Sequence, residues 1–229
     1  MLTSPVRTPL VRLADFTRGL VGDLADLVAP HRCAACAEPS PRLPPLCDVC
    51  REGLVPAEGL PAAVWAPYAH GGPLARAIYH AKYDDAPALA RALGGLLARS
   101  VVDQAGTVDR VVPVPLHASR LRHRGYNQAY ALALPVARAL GVPCDPDAVA
   151  RVTAATSQTT AGRSLRAANV RGAFAVTRPE RLQGMRVLVV DDVCTTGATL
   201  GEVLAVVRAA GAAEARGLAL AHAPRWNAP

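Results

Sequence analysis

Apolar residues recur at helical spacing in three stretches of the chain. The first stretch predicts an amphipathic helix over about residues 10–28, ended by Pro30, with apolar positions at Leu13, Phe16, Leu20, Leu24, Leu27 and Val28. Ala and Leu alternate with Arg at helical period over residues 73–97. A third helical pattern covers residues 127–140, where Pro135 is expected either to kink the helix or to begin a new first turn.

Short apolar runs lie between the helical stretches and indicate strands. Residues 110–116 form a β-branched run broken by two prolines, and residues 172–176 predict a brief strand. The clearest strand covers residues 186–190 and continues into the sequence DDVCTTGATL and a helix that Gly211 is expected to end. Continuous apolar strands flanked by helices indicate a parallel sheet covered on both faces, so the pattern predicts an α/β fold.

The composition changes between residues 30 and 66. Pro, Cys and short polar residues replace the large apolar side chains that a core needs, so this part requires a disulfide or a bound metal to stabilise it. We therefore predict an N-terminal helix over residues 1–29, a small module over residues 30–66 and an α/β domain over residues 67–229. A chain of 229 residues has room for one domain and an appendage, which excludes a large multidomain machine.

The charge of the chain indicates acidic partners. The formal net charge is +7, and Lys82 is the single lysine among 25 basic residues. Such a balance favours phosphates or nucleic acid as partners. The first 20 residues lack the apolar core of a secretory signal, and no stretch approaches the ~18 uncharged apolar residues of a membrane span. We therefore expect a cytoplasmic protein without a membrane span.

Four of the six cysteines form two closely spaced pairs. Cys33-x-x-Cys36 and Cys47-x-x-Cys50 place two thiolates on each of two tight turns, the arrangement that binds Zn²⁺ tetrahedrally. The alternatives are two disulfides or a dithiol redox site, and cytosolic structural disulfides are rare. Because sulfur would fill all four positions, the predicted zinc has a structural or docking role rather than a catalytic one.

The segment over residues 187–200 predicts a site for a phosphorylated sugar. Asp191 and Asp192 follow an apolar strand, at the carboxyl edge where open α/β sheets bind ligands. The small and hydroxyl residues that open the next helix can cradle a phosphate: Thr195, Thr196, Gly197, Ala198 and Thr199. The segment lacks the spacing of a nucleotide P-loop and of a dinucleotide fingerprint, which excludes those two classes.

This segment resembles the 5-phosphoribosyl 1-pyrophosphate (PRPP) binding motif of type I phosphoribosyltransferases. The chain as a whole is similar to the ComF family of competence-associated, amidophosphoribosyltransferase-like proteins, which carry an N-terminal four-cysteine zinc module. The resemblance covers roughly residues 25–221, and its further matches are VPVPLHASRLRHRGYNQ at residues 112–128, Lys82-Tyr83, Gln158, Arg166, Asn169 and Ala173-Phe174. Ala161 and Leu165 depart from the family pattern, in the stretch that carries Arg166.

The resemblance implies PRPP and Mg²⁺ as ligands and a type I phosphoribosyltransferase fold. It implies that Asp191 and Asp192 hold the ribose hydroxyls and that residues 195–199 hold the 5-phosphate. The same resemblance implies a catalytic contribution from Arg166 and a pyrophosphate site that draws on Pro115, Leu116, His117, Arg120, Arg124 and Lys82. The implied activity transfers phosphoribosyl to an unidentified acceptor with release of pyrophosphate, in association with competence and DNA uptake.

Several alternatives remain open from the sequence. The arginines of residues 120–124 also fit a solvated surface loop, and Lys82 also fits a helix end. Tyr126, Asn127 and Gln128 fit either a helix cap or a ligand contact, and the polar stretch with Arg163 and Arg166 suggests a lid. The protein as a whole is alternatively a ligand-sensing or single-stranded-DNA-binding module of the transformation machinery, or a zinc-stapled adaptor. The scarcity of clustered aromatic residues weighs against single-strand binding and leaves no acceptor-base pocket assigned.

Overall fold

The computed structural model describes residues 31–40, 45–84, 86–152 and 172–223. The elements in chain order are α1 (Asp48–Glu52), β1 (Val64–Trp65), β2 (Tyr68–Ala69), α2 (Gly72–Tyr83), α3 (Pro87–Arg99), β3 (Arg110–Pro113), α4 (Ala118–Arg124), α5 (Gln128–Leu140), β4 (Val149–Arg151), β5 (Phe174–Val176), β6 (Arg186–Cys194), α6 (Ala198–Ala209) and β7 (Glu214–His222). Two short 3₁₀ helices cover Val102–Gln104 and Pro179–Arg181.

The main sheet is parallel, as the sequence pattern predicts. The described strands follow the order β1-β7-β6-β3, and β2 pairs with the carboxyl end of β7. Strand β6 pairs with β3 from Val187 opposite Arg110 to Val190 opposite Pro113, and with β7 along most of its length. The predicted strands over residues 110–116 and 186–190 are therefore confirmed as neighbours in one sheet, with β3 at the end of the described order and β6 inside it.

The sheet is covered on both faces, and two buried clusters fill the spaces beneath the helices. One cluster joins the sheet to α2, α3 and α5, with Leu97, Val111 and Leu132 among its members. The other joins the opposite face to α6 and to the small β4–β5 sheet, with Phe174 and Val203 among its members. The prediction of an α/β sheet between two helical layers is confirmed.

The helix predicted over residues 73–97 is wrong in one respect, because the structure divides it into α2 and α3. Helix α2 ends at Tyr83 and α3 begins at Pro87, in the first turn where a missing N–H costs no hydrogen bond. A proline disfavours helical backbone in the residue before it, and Ala86 has φ −109° and ψ 68°. Helix α5 is confirmed, starting after the Asn127 cap and continuing through Pro135.

Several elements were not predicted from the sequence pattern, and three of them bear on the site. Strand β7 lies between β1 and β6 and is nearly all buried, although its segment ARGLALAH contains no β-branched residue. Strand β4 pairs antiparallel with β5, the brief strand that the sequence does predict. The arginine-rich segment considered as a loop forms α4, which ends at Gly125 with φ 75°.

Other predictions concern residues outside the described ranges. The amphipathic helix over residues 10–28 lies there, as do Gln158, Arg163, Arg166 and Asn169 of the predicted lid. The division of the chain at residues 29 and 66 stays a prediction. Within the described part of the chain, no helix combines the length and apolarity needed to cross a membrane.

An ion pair fastens the start of β6 to the residue that precedes β3, and it predicts a pH dependence of stability. The backbone N–H, Nε and Nη2 of Arg186 all donate to the carboxylate oxygens of Asp109, at 2.6 to 2.9 Å. These bonds lower the pKa of Asp109 to about 2 from its ordinary 3.8. Because the carboxylate form is favoured in the folded state, its contribution is complete above about pH 4 and is lost as the pH falls toward 2.

Replacing Asp109 by asparagine is therefore expected to lower the stability at neutral pH and to have little effect near pH 2. The measurement is urea unfolding of wild type and variant between pH 2 and 7. Asp103→Asn, at an exposed aspartate of the nearby 3₁₀ helix, is the matched control. A stability difference for Asp109→Asn that stays constant over this range would contradict the ion-pair explanation.

Candidate functional site

The two cysteine pairs converge in space, as their spacing predicts. The four Sγ atoms of Cys33, Cys36, Cys47 and Cys50 all lie within 4.8 Å of one another, and those of Cys36 and Cys47 are 3.7 Å apart. Zinc–sulfur bonds of 2.3 Å in a tetrahedron separate sulfurs by about 3.8 Å. All four thiols are free cysteines in the structure. The cluster therefore fits a structural zinc ion.

The electrostatics of this cluster also fit a cation. Burial and the neighbouring thiols raise the pKa of Cys50 to about 12. Burial acts the same way on Cys33, but hydrogen bonds from the backbone N–H groups of Cys47, Ala35 and Cys36 outweigh it and lower the Cys33 pKa to about 6. One thiolate is thus stabilised while a second resists ionisation beside it, and a divalent cation would relieve that repulsion.

The cysteine module packs directly on α2. Arg76 of α2 donates from Nε to the carbonyl of Ala35 at 2.8 Å. Leu46 is 1% exposed and belongs to the same buried cluster as Leu74 and Ile78 of α2. The module therefore fixes the position of a helix whose last turn carries Lys82.

Two adjacent carboxylates lie at the carboxyl end of β6. Strand β6 continues past the apolar run through Asp191 and Asp192 as far as Cys194. Burial and the charge of Asp192 raise the pKa of Asp191 to about 7, although the Asp192 N–H, Lys82 and Arg151 act in the opposite direction. Lys82 Nζ lies 2.9 Å from Asp192 Oδ2. The sheet edge thus holds two adjacent carboxylates, one of them with a raised pKa and the other paired with a lysine.

The hydroxyl-rich segment between β6 and α6 forms an open loop beside these carboxylates. Thr195 and Thr196 are exposed, and Gly197 begins α6 with φ 76°, a conformation that glycine adopts without strain. The Thr196 hydroxyl accepts from the backbone N–H of Ala198. A small cavity of about 30 Å³ is lined by Asp191 and residues 193–200. A cavity of this size, at a helix N-terminus with exposed hydroxyls, suits one phosphate group.

A larger cleft of about 290 Å³ adjoins the loop and is lined by side chains of opposite charge. Its acidic wall is Asp191 and Asp192, and Thr199 continues that wall toward the loop. The basic side of the cleft comes from the end of α2, from the segment after β3 and from β4, with Lys82, Pro115, Leu116, Arg120, Arg124 and Arg151 among its residues. Residues from four separate parts of the sequence therefore meet at the carboxyl edge of the sheet.

Comparison with known families agrees with this arrangement. Residues 81–225, more than half of the chain, match the family model described as phosphoribosyl transferase domain. The chain belongs to the phosphoribosyltransferase domain family. The matched range contains both carboxylates, the hydroxyl loop and the basic wall of the cleft.

Relatives of this phosphoribosyltransferase domain protein include proteins named for DNA utilization and competence. The chain is 36% identical over 146 residues to the DNA utilization protein YhgH of Escherichia coli, covering 62% of this chain and 63% of the relative, just under two thirds of its length. It is 35% identical over 158 residues to Competence protein F of Haemophilus influenzae, covering 66% of this chain and 69% of the relative. The resemblance to competence-associated proteins is thereby confirmed.

The comparison with solved structures gives a weaker match. The chain aligns with the glutamine PRPP amidotransferase from B. subtilis at 23% identity and a TM-score of 0.39, over 57% of this chain and 26% of that chain.

The phosphoribosyltransferase domain uses several polar residues near the cleft to hold its backbone. His117 caps α4, and its Nδ1 accepts from the backbone N–H of Ser119. Asn127 caps α5 and also donates to the carbonyl of Val114 at 3.1 Å. Gln128 is buried and accepts from Arg124 at 2.6 Å. Asn127 and Gln128 therefore cap a helix and orient an arginine, and both also line the cleft.

One residue of the cleft was missed in the sequence. Arg151 of β4 lies over the ring of Phe174 at 5.3 Å from its centroid, and it lines the cleft with Asp191. Burial and the charge of Arg120 lower the pKa of Arg151, while Asp191 raises it. Nothing in the local sequence marks this arginine, because β4 itself was not predicted. Arg166, by contrast, lies outside the described residues.

Proposed function

We propose that this phosphoribosyltransferase-like protein binds PRPP with Mg²⁺ and transfers its phosphoribosyl group to an acceptor with release of pyrophosphate. The observation that carries the proposal is the cleft in which Asp191 and Asp192 face basic residues beside a hydroxyl-rich helix N-terminus. A phosphorylated sugar carrying a diphosphate has matching parts in the same order: a phosphate, two vicinal hydroxyls and a second anionic group.

The carboxylates suit the ribose. Ribose hydroxyls are hydrogen-bond donors, and ionised carboxylates are acceptors that form charge-assisted bonds with them. Asp191 lines both the small cavity and the larger cleft, so a sugar held by it can place its 5-phosphate in the loop of residues 195–199. The main-chain amides and the dipole of the twelve-residue helix α6 favour an anion at that end.

The basic wall suits the diphosphate. Arg120, Arg124 and Lys82 line the same cleft as the carboxylates. Arginine forks match phosphate oxygens, and Gln128 holds the Arg124 guanidinium in one orientation. Lys82 pairs with Asp192 in the structure, so ligand binding would exchange this contact for bonds from Lys82 to phosphate and from ribose to Asp192.

The donor set also fits Mg²⁺. Asp191 and Asp192 offer carboxylate oxygens, the ligands that this hard cation takes together with substrate phosphates and water. When bound, the cation neutralises charge on the departing pyrophosphate. Relief of repulsion between the two carboxylates would favour its binding, because Asp192 raises the pKa of Asp191.

Transfer breaks the bond from ribose C1 to the pyrophosphate oxygen and forms a bond from C1 to the acceptor. Positive charge develops on the sugar and negative charge on the leaving group. In this proposal Asp191 and Asp192 stabilise the sugar, and Arg120, Arg124 and Lys82 stabilise the departing diphosphate, since all five line one cleft. The opposed walls of the cleft thus match the charge separation of the transition state.

Calorimetric titration of PRPP with Mg²⁺ tests the proposal. Saturable, Mg²⁺-dependent binding is expected for wild type, and Asp192→Asn should weaken it about 10- to 100-fold, because hydrogen bonds to charged groups contribute about 1.5–3 kcal/mol. Asp103→Asn, at an exposed aspartate of the 3₁₀ helix Val102–Gln104, is the control and should bind as wild type does. Absence of binding to folded, zinc-loaded protein would refute the proposal, and binding without pyrophosphate release for any acceptor would restrict it to ligand sensing.

A second candidate function is binding of single-stranded DNA, and one observation favours it. Helix α4 exposes Arg120, Arg122 and His123 next to the cleft, in a chain with a net charge of +7. Relatives carry the names DNA utilization protein and Competence protein F. Affinity for a single strand should then fall steeply between 50 and 200 mM salt. No affinity at low salt would exclude this candidate.

A further inference from the structure

Helix α2 carries two tyrosines on its outer face that no part of the proposed transfer reaction requires. Tyr79 and Tyr83 are 58% and 64% exposed, and their rings lie one helical turn apart with centroids separated by 4.7 Å. The chain has nine aromatic residues of the Phe, Trp and Tyr types, and two of them lie side by side on this surface. We call this pair the tyrosine ledge.

The ledge borders an open groove of about 410 Å³ along α2. Arg76 and Lys82 line the same groove, so cations flank the aromatic rings. Lys82 and Tyr83 also line the cleft of the proposed PRPP site, which makes the groove continuous with that cleft. Exposed aromatic rings flanked by cations bind nucleic-acid single strands, since bases stack on the rings while the cations contact phosphates.

We propose that the tyrosine ledge is a base-stacking site for a single nucleic-acid strand that runs along α2 beside the cleft. This inference rests on the second candidate function, and it adds the surface and the mode of binding. Base stacking on Tyr79 and Tyr83 supplies affinity that does not depend on salt, and Arg76 supplies a phosphate contact.

An open ledge fits a strand better than a free nucleotide or a second copy of the chain. A small ligand is ordinarily buried over most of its surface, whereas both rings here remain more than half exposed. Within the described residues, Arg76 beside the ledge and Arg120 and Arg122 on α4 outnumber the exposed Asp84, which pairs with His80. That charge complements a polyanion and repels an identical copy of the same surface.

The test compares a twelve-residue oligothymidylate with a strand of equal length whose residues are abasic. Both strands carry the same phosphates, so the difference between them measures stacking. Fluorescence anisotropy should show that wild type prefers the thymidylate strand. Tyr79→Ala and Tyr83→Ala should each weaken thymidylate binding about 5- to 100-fold and leave binding of the abasic strand within about twofold, since stacking on one aromatic ring contributes about 1–3 kcal/mol per base.

Conservative and distant variants serve as controls. Tyr79→Phe and Tyr83→Phe retain the ring and should bind within about twofold of wild type. Val102→Ala removes an exposed apolar side chain outside the groove and should have no effect. A strand with one 5-iodouracil should form a photocrosslink to Tyr79 or Tyr83 that peptide mass spectrometry can locate.

Four results would overturn the inference in distinguishable ways. If wild type fails to bind the oligonucleotide at low salt, the second candidate function fails as well. Strand binding that the tyrosine-to-alanine changes leave intact would refute the ledge alone. If free thymidine monophosphate displaces the strand at an equal concentration of bases, the ledge is a nucleotide site instead. If the alanine variants lose self-association but keep their affinity for the strand, the ledge contacts a second copy of the chain.

Discussion

The Cys47→Ser protein is expected to lose its zinc and to unfold at a much lower temperature than wild type. Metal analysis of wild type should find about one zinc per chain, because four thiols within 4.8 Å of one another offer one tetrahedral site. Loss of a structural metal is among the few changes that destabilise a protein by more than about 4 kcal/mol. The cysteine module shares a buried cluster with Leu74 and Ile78, so the loss extends to α2.

Cys144→Ser is the matched control for this experiment. Cys144 lies outside the cluster and should keep its protein fully zinc-loaded. A chelator applied to wild type should reproduce the effect of Cys47→Ser on thermal unfolding. A preparation that is free of metal and melts as wild type does would refute the structural role of zinc.

The Gly94→Ala protein is expected to be less stable than wild type by about 1–2 kcal/mol, against the usual effect of this exchange in a helix. Helix α3 packs against α5 at this residue. A Cβ atom at Gly94 would lie 2.8 Å from the Leu132 carbonyl oxygen and 3.0 Å from Pro135 Cγ. Because the closest obstacle is backbone, the helices must separate, and such overpacking costs about 1–3 kcal/mol.

The next residue provides the control. Gly95 lies in the same helix and has open space where its Cβ would point. Gly95→Ala should therefore stabilise the protein by about 0.5–1 kcal/mol, since alanine loses less backbone entropy than glycine on folding. Urea unfolding of both variants measures the two changes side by side. Equal effects of the same sign would show that the packing of α3 on α5 does not limit the residue at position 94.

The structure explains which parts of the fold were predictable from the sequence. Strand β6 was predictable because its run of Val and Leu is continuous and ends at two acids. Strand β7 was missed because Ala, Gly and Leu without β-branched residues have no local preference for extended backbone, and its place between β1 and β6 comes from tertiary contacts. The break between α2 and α3 is signalled by Pro87, because proline disfavours helical backbone in the residue before it.

The candidate site also has parts that the sequence predicts and parts that it does not. The loop of residues 195–199 and the two cysteine pairs are local motifs, and their spacing alone indicates a phosphate cradle and a tetrahedral metal site. Arg151 enters the cleft from β4, and the ion pair between Lys82 and Asp192 joins residues more than 100 positions apart. No window of sequence contains both members of such a contact, so they could not be predicted.

The sequence by itself therefore determined the chemistry available to this protein: thiols in two pairs, adjacent acids after an apolar strand, a hydroxyl-rich turn and a single lysine. Tertiary structure decided which of these groups meet. The parallel sheet brings the ends of β3 and β6 to one edge, and α2 carries Lys82 to Asp192 while turning Tyr79 and Tyr83 outward. The reason is physical, because local preferences extend over a few residues, whereas burial of two apolar faces sets the distances between elements.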